Sequence, residues 1–258
     1  MVRLDYEQRR DGLVARVTLD NPKKLNIFTR EAMAALVRTM REAELKDGLR
    51  AVVLTGAGDR AFVGGADLDA LGSLDPASAR AFIGQVHEAC AAMRECPVPV
   101  VARINGFCIG AGLELAAACD LRIAVDTAVF SMPEVRLGIP SVVEAALLPR
   151  LVGASRARWL VMTGENIGAS EALAWGLVEK ICPPEELDAQ VNKALDAILA
   201  GEPNAMRAQK RLCKAWEETT LAESVRLSID EFAHSYDSGE PNRRVAALRA
   251  ARRKAKES

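Results

Sequence analysis

The chain has 258 residues, is 50% hydrophobic and carries 34 basic against 35 acidic side chains, for a formal net charge of −1. That length supports one large core, or a core plus a smaller helical domain, and the charge balance argues against a general nucleic-acid or membrane-surface protein, so any anion has to be bound locally. The six cysteines (Cys90, Cys96, Cys108, Cys119, Cys182, Cys213) form no CxxC pair and only two histidines are present, which predicts no metal site and buried free thiols in a reducing cytoplasm.

In chain order, Val2 to Tyr6 and Leu13 to Leu19 read as short strands ahead of a turn at Asn21-Pro22. A helix follows with Thr29 as N-cap and Met33, Leu36, Val37 and Met40 on its apolar face, and Gly48 marks its exit. The strand Ala51 to Thr55 leads into a glycine-containing loop, Gly56 to Gly65, and then to Ala66-Asp67-Leu68. A helix beginning around Leu74 to Arg80 ends before Pro97. No apolar run approaches a membrane span, and the first residues lead straight into a strand rather than a signal peptide, so a cytoplasmic protein is expected.

Ile104 to Asp120 is the most informative stretch. A strand, Val98 to Ile104, turns at Asn105-Gly106, and Gly110-Ala111-Gly112 opens a helix running towards Cys119. Unpaired amides at a helix start favour negative charge in front of them, and Glu114, three residues after Ala111, projects near the same face. One turn of helix thus offers both an oxyanion stabiliser and a proton-transfer group. The plainer reading is a glycine-rich loop packed against a sheet, with Glu114 complementing the helix dipole. Leu121 to Val125 and Ala128 to Phe130 are again strand-like, and the chain is mostly helical from Val142 onward.

Between Asn204 and Ser235 the apolar positions recur at helical spacing with a break near Thr219-Thr220, which predicts two helices whose apolar faces need a partner. The tail after Glu240 is basic, with Arg243, Arg244, Arg249, Arg252, Arg253, Lys254 and Lys256. It reads as a solvated helix end, with phosphate contact or a disordered solubility tail as alternatives.

Two further segments complete a pattern: Phe62-Val63-Gly64-Gly65-Ala66-Asp67-Leu68, and Phe130 to Pro140 with Pro133, Glu134 and Gly138. With Ile104 to Asp120, the Asp20-Asn21-Pro22 turn before Leu25-Asn26, Thr163-Gly164 and Ala172 to Val178, they resemble the crotonase (enoyl-CoA hydratase/isomerase) superfamily in order and spacing over nearly the whole chain. The resemblance implies an α/β fold, a crotonase-like spiral of ββα units with a C-terminal helical trimerisation region. The core with its acyl-CoA site would occupy residues 1–200, and the helical oligomerisation region and basic tail residues 201–258. A homotrimer, or a hexamer built as a dimer of trimers, is expected.

The same resemblance implies an acyl-CoA thioester whose carbonyl oxygen lies between the amides of Ala66 and Ala111, each donor worth about 3 to 4 kcal/mol to a developing enolate. Gly64, Gly65, Asp67, Leu68, Gly110, Pro133 and Gly138 belong to the matching substrate-binding segments, and Val142 and Glu144, just beyond them, are also expected to bind substrate. Hydratases of the family use two glutamates flanking a water, here Glu114 and Glu134. The Glu134 position delivers the C2 proton, and the Glu114 position orients and activates the water. Lys23 and Lys24 fall near the turn where relatives touch CoA, with plain surface lysines as the alternative. No metal or redox cofactor is implied.

The chain departs from the family at Ser141-Val142-Val143-Glu144-Ala145-Ala146, where hydratases commonly have small residues. Ser141 and Glu144 have the S-x-x-E spacing of a capping box, and Glu144 is alternatively a third carboxylate facing the acyl pocket. His87 matches the helix that carries a catalytic histidine in the family's 4-chlorobenzoyl-CoA dehalogenases, but their nucleophilic aspartate would fall at Val142. His87 therefore reads as a helix-surface or interface residue. The expected activity is hydration of a trans-2-enoyl-CoA. The alternatives are 3-enoyl-CoA isomerisation, another crotonase-type lyase or hydrolase reaction, and a noncatalytic acyl-CoA-binding or RNA-binding relative.

Overall fold

A computed structural model of the chain describes residues 1–257, with side chains described through Arg253. A hairpin opens the chain, β1 (Val2–Arg9) against β2 (Gly12–Leu19), and a short 3-10 turn, Pro22–Lys24, follows. Helix α1 (Arg30–Glu44) starts where expected: the Thr29 side chain accepts from the Ala32 amide at 3.2 Å, and Met33, Leu36, Met40 and Ala43 are buried. Val37 stays half-buried at the edge of that face.

Three strand pairs carry the core: β3 (Leu49–Gly56) with β4 (Ala61–Val63), β5 (Val100–Ile104) with β6 (Phe107–Ile109), and β7 (Leu121–Val125) with β8 (Val129–Ser131). The first strand of each pair joins a six-stranded sheet in the order β1-β2-β3-β5-β7-β10, and the second joins a four-stranded sheet in the order β4-β6-β8-β9. Helices α2 (Leu68–Gly72) and α3 (Pro76–Glu95) return the chain after β4, and α4 (Ala111–Ala117) does so after β6. This is a winding of strand, strand and helix units. Strand β3 is buried along its whole length, as a parallel strand covered on both faces must be.

After β8 come 3-10 turns at Glu134–Leu137 and Val143–Leu147, then α5 (Leu148–Val152), α6 (Ala154–Thr163), β9 (Ile167–Gly168), α7 (Ala169–Trp175), β10 (Lys180–Cys182) and α8 (Leu187–Leu199). The expectation of mostly helix here missed β9 and β10. Two and three residues are too few to show a period, and they are strands only because β8 and β7 supply their hydrogen-bonding partners.

Buried Arg122 on β7 ties this region together: it donates to the carbonyls of Leu177 at 2.8 Å and Cys119 at 2.7 Å, and to Glu179. Five cysteines are buried and none of the six is in a disulfide among the described residues, but Cys213 is exposed, against the expectation that all the thiols are buried.

Residues Met1–Ala200 form one compact unit and a second begins at Gly201. The second holds α9 (Pro203–Glu218), α10 (Leu221–Ser235) and α11 (Glu240–Glu257). Thr220 caps α10 by accepting from the Glu223 amide at 3.3 Å, at the break expected there. The basic tail is helical. Arg243 donates to the Ser238 carbonyl at 3.0 Å and Arg244 pairs with Glu202, while the side chains of Lys254 and Lys256 lie outside the described residues. Among the described residues, no helix is long and apolar enough to cross a membrane.

Candidate active site

The site grows from the ends of β4 and β6, which pair in parallel. Their exits lie against each other so closely that a Cβ on Gly112 would meet the Val63 carbonyl oxygen at 2.3 Å. Only glycine allows helix α4 to start this near the strand. Ala66 follows β4 and Ala111 opens α4. Ala66 bridges Phe28, but the bonds of that bridge run from the Phe28 amide to Gly65 and from the Asp67 amide to Phe28. Neither the Ala66 nor the Ala111 amide donates a hydrogen bond among the described residues. Two unused donors thus sit at adjacent strand exits, one at a helix N-terminus.

Asn26 braces the approach to Ala66. It donates to the carbonyls of Ala57 at 3.0 Å and Ala61 at 2.8 Å, and its own oxygen accepts from the Asn21 amide at 2.9 Å. Gly64 is held against Leu25, whose carbonyl accepts its amide at 2.9 Å. Gly65 takes φ +109°, a conformation L side chains rarely adopt.

Three carboxylates gather beyond these amides. Glu114, on the first turn of α4, is only 4% exposed and accepts from the Ala145 amide at 3.2 Å. Burial, then the charges of Glu134 and Glu144, push its pKa up to about 8 against the shielding effect of that hydrogen bond. Glu134 opens the 3-10 turn after Pro133, and Ser141 donates to its Oε2 at 2.8 Å. Its other oxygen lies where a Cβ on Gly110 would be, at 2.5 Å, and Gly110 adopts φ +52°. Gly110 thereby makes room for Glu134 while its amide is held by the Ser131 carbonyl at 2.8 Å.

Glu144 is 7% exposed, and the Nδ1–H of His87 donates to its Oε1 at 2.8 Å. The capping box expected of Ser141 and Glu144 does not form. The 3-10 turn is capped at Val142 without a side-chain hydrogen bond, because Ser141 has turned to Glu134 and Glu144 to α3. His87 is an exposed residue of α3 as expected, but its ring nitrogen engages a buried carboxylate. Cys90, one turn further along α3, has its thiol pushed well up by burial and by the neighbouring Glu144 and Glu114.

The other expected binding residues are distributed around this centre. Asp67 caps α2 by accepting from the Asp69 amide at 3.0 Å, and Leu68 is exposed on that helix. Gly138 ends the Glu134–Leu137 turn in a left-handed conformation, and Val142 is exposed. Lys23 and Lys24 are exposed in the short turn before Leu25, apart from the three carboxylates in the chain's described hydrogen bonds and ion pairs. The Ser141 hydroxyl and the Ala145 amide were not foreseen as parts of the site. Ser141 was assigned to a helix cap, and a backbone amide leaves no mark in a sequence.

The family model described as enoyl-CoA hydratase/isomerase matches residues 9–248. A putative enoyl-CoA hydratase/isomerase, YngF, of Bacillus subtilis is 36% identical over 222 residues, which are 86% of this chain and 85% of that protein. A short-chain-enoyl-CoA hydratase of Clostridium acetobutylicum is 33% identical over 230 residues, covering 89% and 88%. The crystal structure of an enoyl-CoA hydratase from Thermoplasma volcanium is similar at a TM-score of 0.83 and 33% identity, over 91% of this chain and 92% of that one.

Proposed function

The chain belongs to the enoyl-CoA hydratase/isomerase family, and from that premise we propose that it is an enoyl-CoA hydratase adding water syn across a trans-2-enoyl-CoA. The observation that carries this reading is the neighbouring pair of Glu114 and Glu134, one buried and lifted to a pKa of about 8, the other fixed by Ser141. Two carboxylates whose environments differ in this way can divide the handling of one water.

The thioester oxygen accepts from the Ala66 and Ala111 amides, which stabilise the enolate as charge moves onto it. Glu114 keeps a proton near neutral pH and holds the water beside C3. As the water oxygen bonds to C3, Glu134 takes the departing proton and passes it to C2 on the same face. The water supplies both the hydroxyl and the hydrogen, so the pair ends in its starting protonation state and no electron acceptor is needed. The exposed Lys23 and Lys24, in the turn before Leu25, are assigned to the CoA phosphates.

In the second unit, α10 exposes Leu221, Val225, Ile229 and Phe232 beside Trp216, along a groove of about 650 Å³. Such an apolar face supports a homotrimer or a dimer of trimers. Six thiols outside any disulfide support a cytoplasmic location.

The test follows the conjugated-thioester absorbance with crotonyl-CoA and longer or branched enoyl-CoAs. Wild type is expected to turn over at least one, with Glu134→Gln and Glu114→Gln slowed about 100-fold or more. No turnover by wild type, or full rate in both variants, overturns the reading. Parallel 3-enoyl-CoA assays detect an isomerase.

A further inference from the structure

The His87–Glu144 pair adjoins Glu114 and has no part in the steps above. Glu144 sits on the Val143–Leu147 turn, and the next residue, Ala145, supplies the amide bound by Glu114. That turn enters through Val143 at φ +40°, an unfavourable conformation for a β-branched residue that persists only when its surroundings impose it. His87 on α3 provides such an anchor through the 2.8 Å bond to Glu144. The second oxygen of Glu144 is buried with no hydrogen-bond partner. A buried, half-satisfied carboxylate is costly to keep out of water.

We propose that His87 and Glu144 form a positioning pair for Glu114: the hydrogen bond from His87 locks the strained turn so that the Ala145 amide orients the Glu114 carboxyl and the Glu144 carboxylate is held beside it. The inference rests on the hydratase reading for its kinetic consequences only. The ionisable groups facing Glu114 are Glu134 from the first 3-10 turn, Glu144 from the second and Cys90 from α3, with His87 acting on it through Glu144. Burial contributes most to the retained proton and the two carboxylates add to it. Neutralising Glu144 therefore leaves the burial effect and removes one like charge.

The experiment has one arm that needs no turnover. Carboxyl infrared difference spectra across a pH series, with Glu114→Gln as the blank, follow the ionisation of Glu114. Glu144→Gln is expected to move that ionisation to lower pH and to carry the alkaline limb of kcat/KM with it. A purely structural role for Glu144 would leave both in place. In the second arm, His87→Ala is expected to lower kcat about 10- to 100-fold with KM nearly constant, the effect of a displaced reacting group. His87→Asn, whose amide nitrogen takes the place of Nδ1, restores most of the rate. The proposal is overturned if Glu144→Gln leaves the Glu114 ionisation unmoved, or if His87→Ala retains wild-type kcat. Should wild type turn over no enoyl-CoA, the hydratase reading fails while the spectroscopic arm still decides this one.

Discussion

The Ser141 hydroxyl donates to Glu134 Oε2 at 2.8 Å from seven residues further along the chain, which leaves the 3-10 turn of Glu134 and returns beside it. This bond fixes one oxygen of the carboxylate that hands a proton to C2. A hydrogen bond to a charged group contributes about 1.5 to 3 kcal/mol. Ser141→Ala should therefore lower kcat by about tenfold or more with little change in KM, and Ser141→Thr should recover most of the loss. Steady-state kinetics on the best enoyl-CoA substrate decides the point, and an unchanged kcat in Ser141→Ala would remove this residue from the mechanism.

Gly110 leaves room for the other oxygen of the same carboxylate. An alanine there would place its Cβ 2.5 Å from Glu134 Oε1 and would also have to adopt φ +52°. Gly110→Ala is expected to displace Glu134 and reduce kcat about 100-fold, with some loss of melting temperature from the backbone strain. A fall in melting temperature with normal kcat would show that Glu134 accommodates the methyl group elsewhere.

Glu114 gives the protein a pH signature. Its folded-state pKa of about 8 lies above the ordinary 4.5, so between those values the native state holds a proton that the unfolded chain has lost. Its contribution to stability is complete below the unfolded pKa and is lost as pH rises through about 8. The slope approaches about 1.4 kcal/mol per pH unit in that window. Denaturant titrations at pH 5, 7 and 9 should show wild type losing stability relative to Glu114→Gln as pH rises. The kcat/KM of wild type should fall above about pH 8 as the proton leaves. Parallel stability curves for the two proteins would show that Glu114 is ionised in the native state.

Much of the fold was legible because it depends on local rules. Thr29 caps α1, the face of Met33, Leu36 and Met40 is buried, Leu121 to Val125 is a strand, and the Thr219-Thr220 break separates α9 from α10. Where long-range pairing decides, reading failed: Ile167–Gly168 and Lys180–Cys182 carry no period of their own. Ser141 and Glu144 had the spacing of a capping box, and that local rule lost to Glu134, seven residues before Ser141, and to His87, 57 residues before Glu144.

The residue types and their order in the chain thus supplied the family, the two principal glutamates and the glycines that let backbone come close. Only the folded chain decided what those carboxylates do, because charge state and orientation arise from neighbours distant in sequence. Ala145 reaches Glu114 from 31 residues away and His87 reaches Glu144 from 57. Burial then raises the pKa of a glutamate that, as a letter in the sequence, is no different from any other.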